Sequence, residues 1–288
     1  MKQVTLEELL EAGCHFGHQV TRSNPRARDF IFEAREGIHI IDLAKTKEGL
    51  DQAGEFVKAV AQKEDSVMVV VGTKRQAHGI IEEEAKKAKG EIGDPLKDGI
   101  FYVTNRWIGG LFTNFSEVSK NFKKLIDLTE KLKNPEERAK YTKKEVGLWD
   151  KERQKLESLY GGVYQLKKEP ELLFVVDSHL EDLAVREAQK VSVPTVAMVD
   201  TNADPHIVDY PIPANDDAVG SIQYIVEYIM EAWVEGKKSA KKVQSDKVKE
   251  EEKALEKEKK PKTIVKTKTP KKGKKDVKSK PRKTKKTS

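Results

Sequence analysis

Two short apolar runs separated by one amphipathic stretch dominate the pattern between residues 172 and 199. Leu172 to Val176 is the first run and Thr195 to Val199 the second. Neither alternates apolar with polar positions, as expected of parallel strands covered on both faces. Between them Leu180, Leu183, Ala184 and Ala188 recur at three-and-four spacing, which predicts a helix with that face inward. The stretch reads as one β-α-β unit. Each strand ends on an aspartate, Asp177 and Asp200, and the ends of such strands form the functional rim of an open sheet.

The rest of the chain extends this pattern in both directions. Thr5 with Glu8 forms a capping box for a first helix, whose apolar face is Leu6, Leu9 and Leu10 and which stops at Gly13. Cys14 to Arg28 reads as a loop punctuated by glycine and proline. Phe30–Phe32 and Ile38–Asp42 flank Glu36-Gly37 as a β-hairpin. A helix follows over 45–62, then a strand over 66–71 that runs into Gly72-Thr73-Lys74-Arg75, a helix to about 89 and a strand over 100–103. Beyond Asn105-Arg106-Trp107-Ile108-Gly109-Gly110 the character changes. Phe115, Val118, Phe122, Leu125 and Leu128 make a narrow stripe among charges, and Val146, Trp149, Leu156 and Leu159 make a second after Asn134-Pro135. Narrow stripes with charged flanks predict an antiparallel coiled-coil hairpin inserted between strands. Tyr210–Ala214 carries prolines and belongs at a sheet edge. Asn215-Asp216-Asp217 caps a last helix to Glu235, with Ile222, Ile225, Ile229 and Trp233 inward. The expected architecture is α/β: a discontinuous sheet domain over 1–111 and 161–236, the hairpin over 112–160, and a lysine-rich tail over 237–288.

Charge sharpens this division. The tail holds 23 Lys and Arg against 7 Asp and Glu, a net of +16. Removing these from the chain's 55 and 48 leaves 32 basic and 41 acidic residues in 1–236, a net of −9. The body is therefore acidic, and any nucleic acid it binds must meet local basic clusters. The tail has too little apolar surface to offset its conformational entropy; it is expected to be disordered, with a fraying helix in its first part. The single cysteine, Cys14, excludes an internal disulfide framework and fits a reducing compartment. No apolar run approaches the roughly 20 residues of a membrane span and no signal-peptide pattern opens the chain, so a cytoplasmic protein is expected.

Candidate chemistry is sparse. Gly72-Thr73-Lys74-Arg75 opens a helix after a strand, where backbone N–H groups favour an anion, but it lacks the spacing of a phosphate-binding loop, and no GxGxxG occurs. Lys74 and Arg75 read as phosphate contacts or as a solvated helix start. Cys14, His15 and His18 are zinc candidates without the second ligand cluster of a structural site, or loop residues that donate to backbone or phosphate. Asp177, Asp182, Asp200 and Asp204 crowd the rim, as turn formers or as magnesium ligands. Asn105-Arg106-Trp107 either lies along a phosphate backbone with the indole on a base, or plugs the root of the hairpin. No nucleophile–base order suggests catalysis. A doubly wound enzyme acting on a phosphorylated substrate, and an adaptor that uses the hairpin as a partner-binding arm, remain open on these residues alone.

Taken together, GCHFGHQVTRSNPRARDFIFEAREGIHIIDLAKT, VVVGTKRQA, VTNRWIGGLFTNF, SLYGGV, PELLFVVDSHLEDLAVREAQKVSVPTVAMVDTNADP and IPANDDAVGSI resemble the bacterial ribosomal protein S-two family, in the family's order, over about residues 4–233. The resemblance implies a flavodoxin-like, doubly wound sheet with an inserted coiled-coil hairpin. It implies a non-enzymatic constituent of the small ribosomal subunit at the head–body junction. Its partners would be small-subunit ribosomal RNA and neighbouring ribosomal proteins, including the large protein S-one, with no membrane and no small-molecule substrate. On the matching positions, Arg22, Asn24, Pro25, Arg26, Arg28, Lys74, Arg75, Asn105, Arg106 and Trp107 would face RNA. No cofactor is required; zinc has been associated with some members, for which Cys14, His15 and His18 are the nearest candidates here. The lysine tail runs past the family's usual end, so its role does not carry over.

Overall fold

The apolar runs form the middle of a five-stranded parallel sheet. A computed structural model describes residues 3–63, 65–93 and 99–258. In chain order the sheet strands are β4 (Met68–Val71), β5 (Ile100–Val103), β6 (Leu172–Val175), β7 (Thr195–Val199) and β8 (Tyr210–Pro213). They lie in the order β5-β4-β6-β7-β8, all parallel. Counted from β4, this is the 2-1-3-4-5 order of flavodoxin-like folds.

Each strand feeds both faces, which explains the missing alternation. Met68, Val70, Leu172, Phe174, Val196 and Met198 join one apolar cluster with α2 (Leu43–Ala61), α3 (Arg75–Ile92) and α8 (Val219–Glu258). Val69, Val71, Leu173, Val175, Ala197 and Val199 point the other way, against α7 (Asp182–Lys190) and the root of α4 (Phe115–Lys133). Both sheet edges are closed off. β8 carries Pro211 and Pro213, and α2 covers it, with Thr46 Oγ1 donating to the Pro213 carbonyl at 2.6 Å. At the other edge the Tyr102 N–H donates to Gly162 O at 3.2 Å.

The N-terminal segment forms a second, three-stranded antiparallel sheet in the order β1-β3-β2, from β1 (Phe16–Gln19), β2 (Ile31–Arg35) and β3 (Ile38–Ile41). The expected hairpin is β2–β3, turned by Glu36 (φ 52°) and Gly37 (φ 79°). β1 is not visible in the apolar pattern. Its place is set by Gly17, where a Cβ would stand 2.7 Å from Thr201 Cγ2 and 3.1 Å from His39 O. α1 (Leu6–Glu11) precedes it, with Thr5 Oγ1 accepting the Glu8 N–H.

Three expectations are corrected. Leu180 and Leu183 do not face inward; they are 54% and 53% exposed. The helix starts at Asp182, so Leu180 lies in the preceding turn, and the inward stripe is Ala184, Val185, Glu187 and Ala188. The break at Asn134-Pro135 is itself a short helix, α5 (Pro135–Ala139), capped by Asn134. The last helix does not stop at Glu235. Lys237 is buried, its ammonium bound to Ser66 O and Oγ at 2.9 Å each, Lys241 Nζ reaches Ile92 O at 2.6 Å, and α8 runs to Glu258. Met1–Ser245 form one unit, and the helix from Asp246 on falls to a second. The rest of the expected disordered tail, 259–288, lies outside the described residues.

In the inserted segment α4 packs on α6 (Lys143–Tyr160). Phe122 meets Tyr160 edge-on at 5.4 Å, Asn121 Nδ2 donates to the Tyr160 hydroxyl at 3.0 Å, and Lys124 pairs with Glu152. Further along, Trp149 meets Tyr141 edge-on at 4.5 Å with Lys131 over the indole. No described helix is long and apolar enough to cross a membrane.

Candidate functional site: the carboxyl edge of the parallel sheet

Because β4 to β8 are parallel, the loops after all five strands meet at one edge. In a sheet of this order the ligand crevice opens between β4 and β6, where the strand order reverses. Here protein side chains occupy it. Lys74, after β4, reaches Asp177 Oδ2 after β6 at 2.9 Å, and Asp216 Oδ1 and Asp217 Oδ1 after β8 at 2.6 and 2.8 Å. Thr73 Oγ1 donates to Glu181 across the same gap. Burial works against the Lys74 ammonium, but Asp216 and Asp177 outweigh it and hold its pKa above the ordinary value. Burial, then the neighbouring Asp177 and Asp200, push Asp216 up to about 8.

The N-terminal sheet is tied into this edge. The His18 N–H donates to Thr201 Oγ1 at 2.9 Å, and its imidazole Nδ1 lies 3.0 Å from Asp200 Oδ2. That bond to Asp200 holds the imidazole above its usual pKa. Asp200 and Asp177 also shape their turns: Asp200 Oδ1 accepts the Thr201 N–H, and Asp177 Oδ1 accepts those of His179 and Leu180 at 2.9 Å each. Asp182 and Asp204 stand apart from this group. Asp182 pairs with Arg186 on the surface of α7, and Asp204 pairs with Arg26 at 2.5 Å.

The ten RNA-facing candidates divide by exposure. Asn24 N donates to Thr201 O at 2.7 Å, its Oδ1 accepts the Arg26 N–H at 3.0 Å, and Pro25 starts a 3-10 turn over Pro25–Phe30. These two residues shape the loop that presents Arg22, Arg26 and Arg28, all exposed. Arg75, which opens α3 after β4, and Arg106, in the loop after β5, are exposed. Among the described residues Arg22, Arg28, Arg75 and Arg106 have no ion pair; their side chains are available to an outside anion. Lys74 is not: its side chain is 15% exposed and spent on three carboxylates. Trp107 is buried against Phe112 at 5.1 Å, edge-on, and Asn105 Nδ2 donates to Ser158 O at 2.5 Å. The indole plugs the hairpin root.

The candidate metal set is not assembled either. Cys14 is buried in the apolar cluster of α1 and α8, which pushes its thiol pKa up. His15 packs on the ring of Phe16 at 4.0 Å, and burial pushes its imidazole down. Among the described residues the convergent group is His18, Asp200 and Asp216.

Sequence reasoning missed Glu187. This buried carboxylate accepts the backbone N–H of Gly110 at 2.7 Å and of Phe112 at 3.3 Å, and the Trp107 indole N–H at 3.4 Å. It holds the 106–113 loop to α7. The available signal was a glutamate on the inward side of α7, three residues after Ala184.

The sequence model for ribosomal protein S2 matches residues 9–236. The chain belongs to the ribosomal protein S2 family. Relatives named "Small ribosomal subunit protein uS2" confirm the span. The one from Petrotoga mobilis is 44% identical over 237 residues, 82% of this chain and 78% of the relative. That from Dictyoglomus thermophilum is 42% identical over 252 residues, 88% and 98%. That from Roseiflexus castenholzii is 46% identical over 243 residues, 84% and 88%. An S2-family chain is a constituent of the small ribosomal subunit and of the translation apparatus, not an enzyme. The self-filled crevice accords with that: a flavodoxin-like strand order is kept, and its ligand position is used for internal ion pairs.

Proposed function

We propose that the carboxyl edge binds small-subunit ribosomal RNA through phosphate contacts from Arg22, Arg28, Arg75 and Arg106. The observation that carries this is their combination of exposure, lack of ion pairs among the described residues, and place in segments at or tied to this edge: Arg75 after β4, Arg106 after β5, and Arg22 and Arg28 in the loop that Asn24 bonds to Thr201. Arg26 is the fifth member, and must share itself with Asp204. Asn24, Pro25, Lys74, Asn105 and Trp107 contribute by shaping and fixing the loops. The lysines of the tail add a sequence-independent attraction. The −9 body does not oppose this, because phosphate contact depends on the local field at the edge and not on the net charge.

The resemblance adds a position at the head–body junction, and a part in docking ribosomal protein S-one beside the arginine loop. The inserted hairpin, taken as a coiled coil, is the arm toward neighbouring ribosomal proteins; Leu148 on α6 is 57% exposed and supports that use. Subunits reconstituted with the R22A/R28A/R75A/R106A variant test the RNA reading. The variant should dissociate at lower salt than the parent, and its free-RNA affinity should lose about 0.9 in log–log salt slope per phosphate contact removed. An unchanged slope would refute the reading. Deleting 112–160 tests the arm separately: RNA binding should persist while protein neighbours or S-one are lost.

A further inference from the structure

The far end of the inserted segment encloses a cavity that RNA contact at the carboxyl edge does not use. Here α4, α5 and α6 turn around about 820 Å³ of open space, walled by Leu132 at the end of α4 and by Tyr141 and Val146. Tyr141 is exposed and is braced edge-on by Trp149. Arg138 and Lys143 line the same space, and among the described residues neither has an ion pair. The carboxylate that lines it, Asp150, is already engaged. Its Oδ1 accepts from Arg153 Nε and Nη2 at 3.2 and 3.0 Å, and its Oδ2 from Gln154 Nε2 at 2.9 Å. The opening thus presents an apolar wall and two uncompensated cations.

Gly147 lies in this wall, on the face of α6 that also carries Lys143, Val146 and Asp150. Inside a helix glycine is less favourable than alanine, because it loses more backbone freedom on folding and covers nothing. A Cβ here would meet no atom within 4 Å, so nothing inside the chain requires the missing side chain. Its absence leaves the backbone of α6 open to a partner from outside. The charge of the segment indicates which kind. Residues 112–160 hold 12 Lys and Arg against 9 Asp and Glu, a net of +3 within a body of −9. We propose that this cavity is a docking groove for an acidic segment of a neighbouring ribosomal protein. One aliphatic or aromatic side chain of that segment fills the space beside Gly147, against Leu132, Tyr141 and Val146, and its flanking carboxylates pair with Arg138 and Lys143. An RNA backbone suits the groove less. Two cations beside an apolar wall neutralise few phosphates, and Glu136 and Glu137 on α5 repel others. The groove gives the arm proposed above its partner chemistry, and rests on that reading.

Photocrosslinking on reconstituted small subunits that carry the full chain tests the groove. Benzoylphenylalanine in place of Ala139, which is exposed and lines the cavity, should crosslink a ribosomal protein. Mass spectrometry of the digest should place the link in a segment with an apolar residue between Asp or Glu. A fluorescent synthetic peptide of that segment should bind the free full chain, more weakly as salt rises. G147L fills the groove and R138E/K143E reverses its charge; each should weaken the peptide by about 10-fold or more. G147L should melt no lower than the parent, since its Cβ enters open space, and both variants should keep the parent's salt slope for RNA. A link to RNA alone, a linked segment without carboxylates, no link, or peptide binding unchanged in either variant would each overturn the proposal. If deleting 112–160 strips a protein neighbour that G147L and R138E/K143E both retain, the arm stands and the groove falls.

Discussion

Replacing Glu187 with alanine isolates the contact that holds the hairpin root. The side chain is buried and collects N–H donors from Gly110 at 2.7 Å, Phe112 at 3.3 Å and the Trp107 indole at 3.4 Å. Phe112 is 1% exposed, so water does not replace the lost acceptor at its backbone. Leaving a buried donor unpaired costs about 1–3 kcal/mol. Two backbone donors, with little from the longer bonds at 3.4–3.5 Å, give about 2–5 kcal/mol. At about 2–4 °C per kcal/mol for a unit of this size, E187A should melt several degrees below the parent. E187Q keeps one carbonyl oxygen and should fall between them. D182A is the control, because the exposed Asp182–Arg186 pair on the same helix is worth about 0–1 kcal/mol. Urea and thermal melts of the three variants, read by near-ultraviolet signals from the buried Trp107, decide the matter. An E187A variant within about 1 kcal/mol of the parent, or no more affected than D182A, would refute the account of this loop.

The contribution of Asp216 to stability should fall as pH rises from about 4 to about 8, seen as the difference between the parent and D216N. Asp216 keeps a proton up to about 8 in the folded chain, whereas an unfolded aspartate loses it near 4, so the stabilising proton is lost through that window at up to about 1.4 kcal/mol per pH unit. His18, raised by Asp200, acts in the same direction, its contribution fading as pH passes its folded value. Urea midpoints across the range should show the slope in the parent and a flatter one in D216N; equal slopes would remove Asp216 as the cause. G17A should destabilise by about 1–3 kcal/mol, because its methyl meets Thr201 Cγ2 at 2.7 Å, and hydrogen exchange should rise first at His18 and Gln19.

The inner strands of the parallel sheet, β4, β6 and β7, were legible because each is a run of apolar residues buried on both faces, which no surface element imitates. Tyr210–Pro213 was legible as an edge because proline lacks the ladder donor. The pattern failed where a position is decided across the fold. β1 has no periodicity of its own; it is a strand because Gly17 lets it lie on Thr201, 184 residues away, and because β3 pairs with it. Leu180 and Leu183 fit a three-and-four rule, but Leu180 lies before the helix and Leu183 lies off its buried stripe. A lysine at a strand end reads as a phosphate ligand until β8 delivers Asp216 and Asp217 to it, and an exposed-looking Arg-Trp pair divides into a free arginine and a buried plug only once Glu187 is in place.

On the proposed RNA reading, the carboxyl edge serves two purposes on one set of loops. Its inner ring ties the chain together: His18 from β1, Lys74 after β4, Asp177 after β6, Asp200 after β7 and Asp216 after β8 are bonded into one ionic network. Its outer ring is Arg22, Arg28, Arg75 and Arg106, free of ion pairs among the described residues. Asp204 already captures Arg26, and without Lys74 and His18 neutralising part of the inner ring its carboxylates would compete with RNA phosphates for the others. A K74M variant should therefore do more than loosen the fold. It should weaken RNA binding by a margin that shrinks when D217N is added, because Asp217, held ionised beside the Lys74 ammonium, is the carboxylate that the first change leaves bare. Additive effects of the two substitutions on RNA affinity would show that the rings act independently.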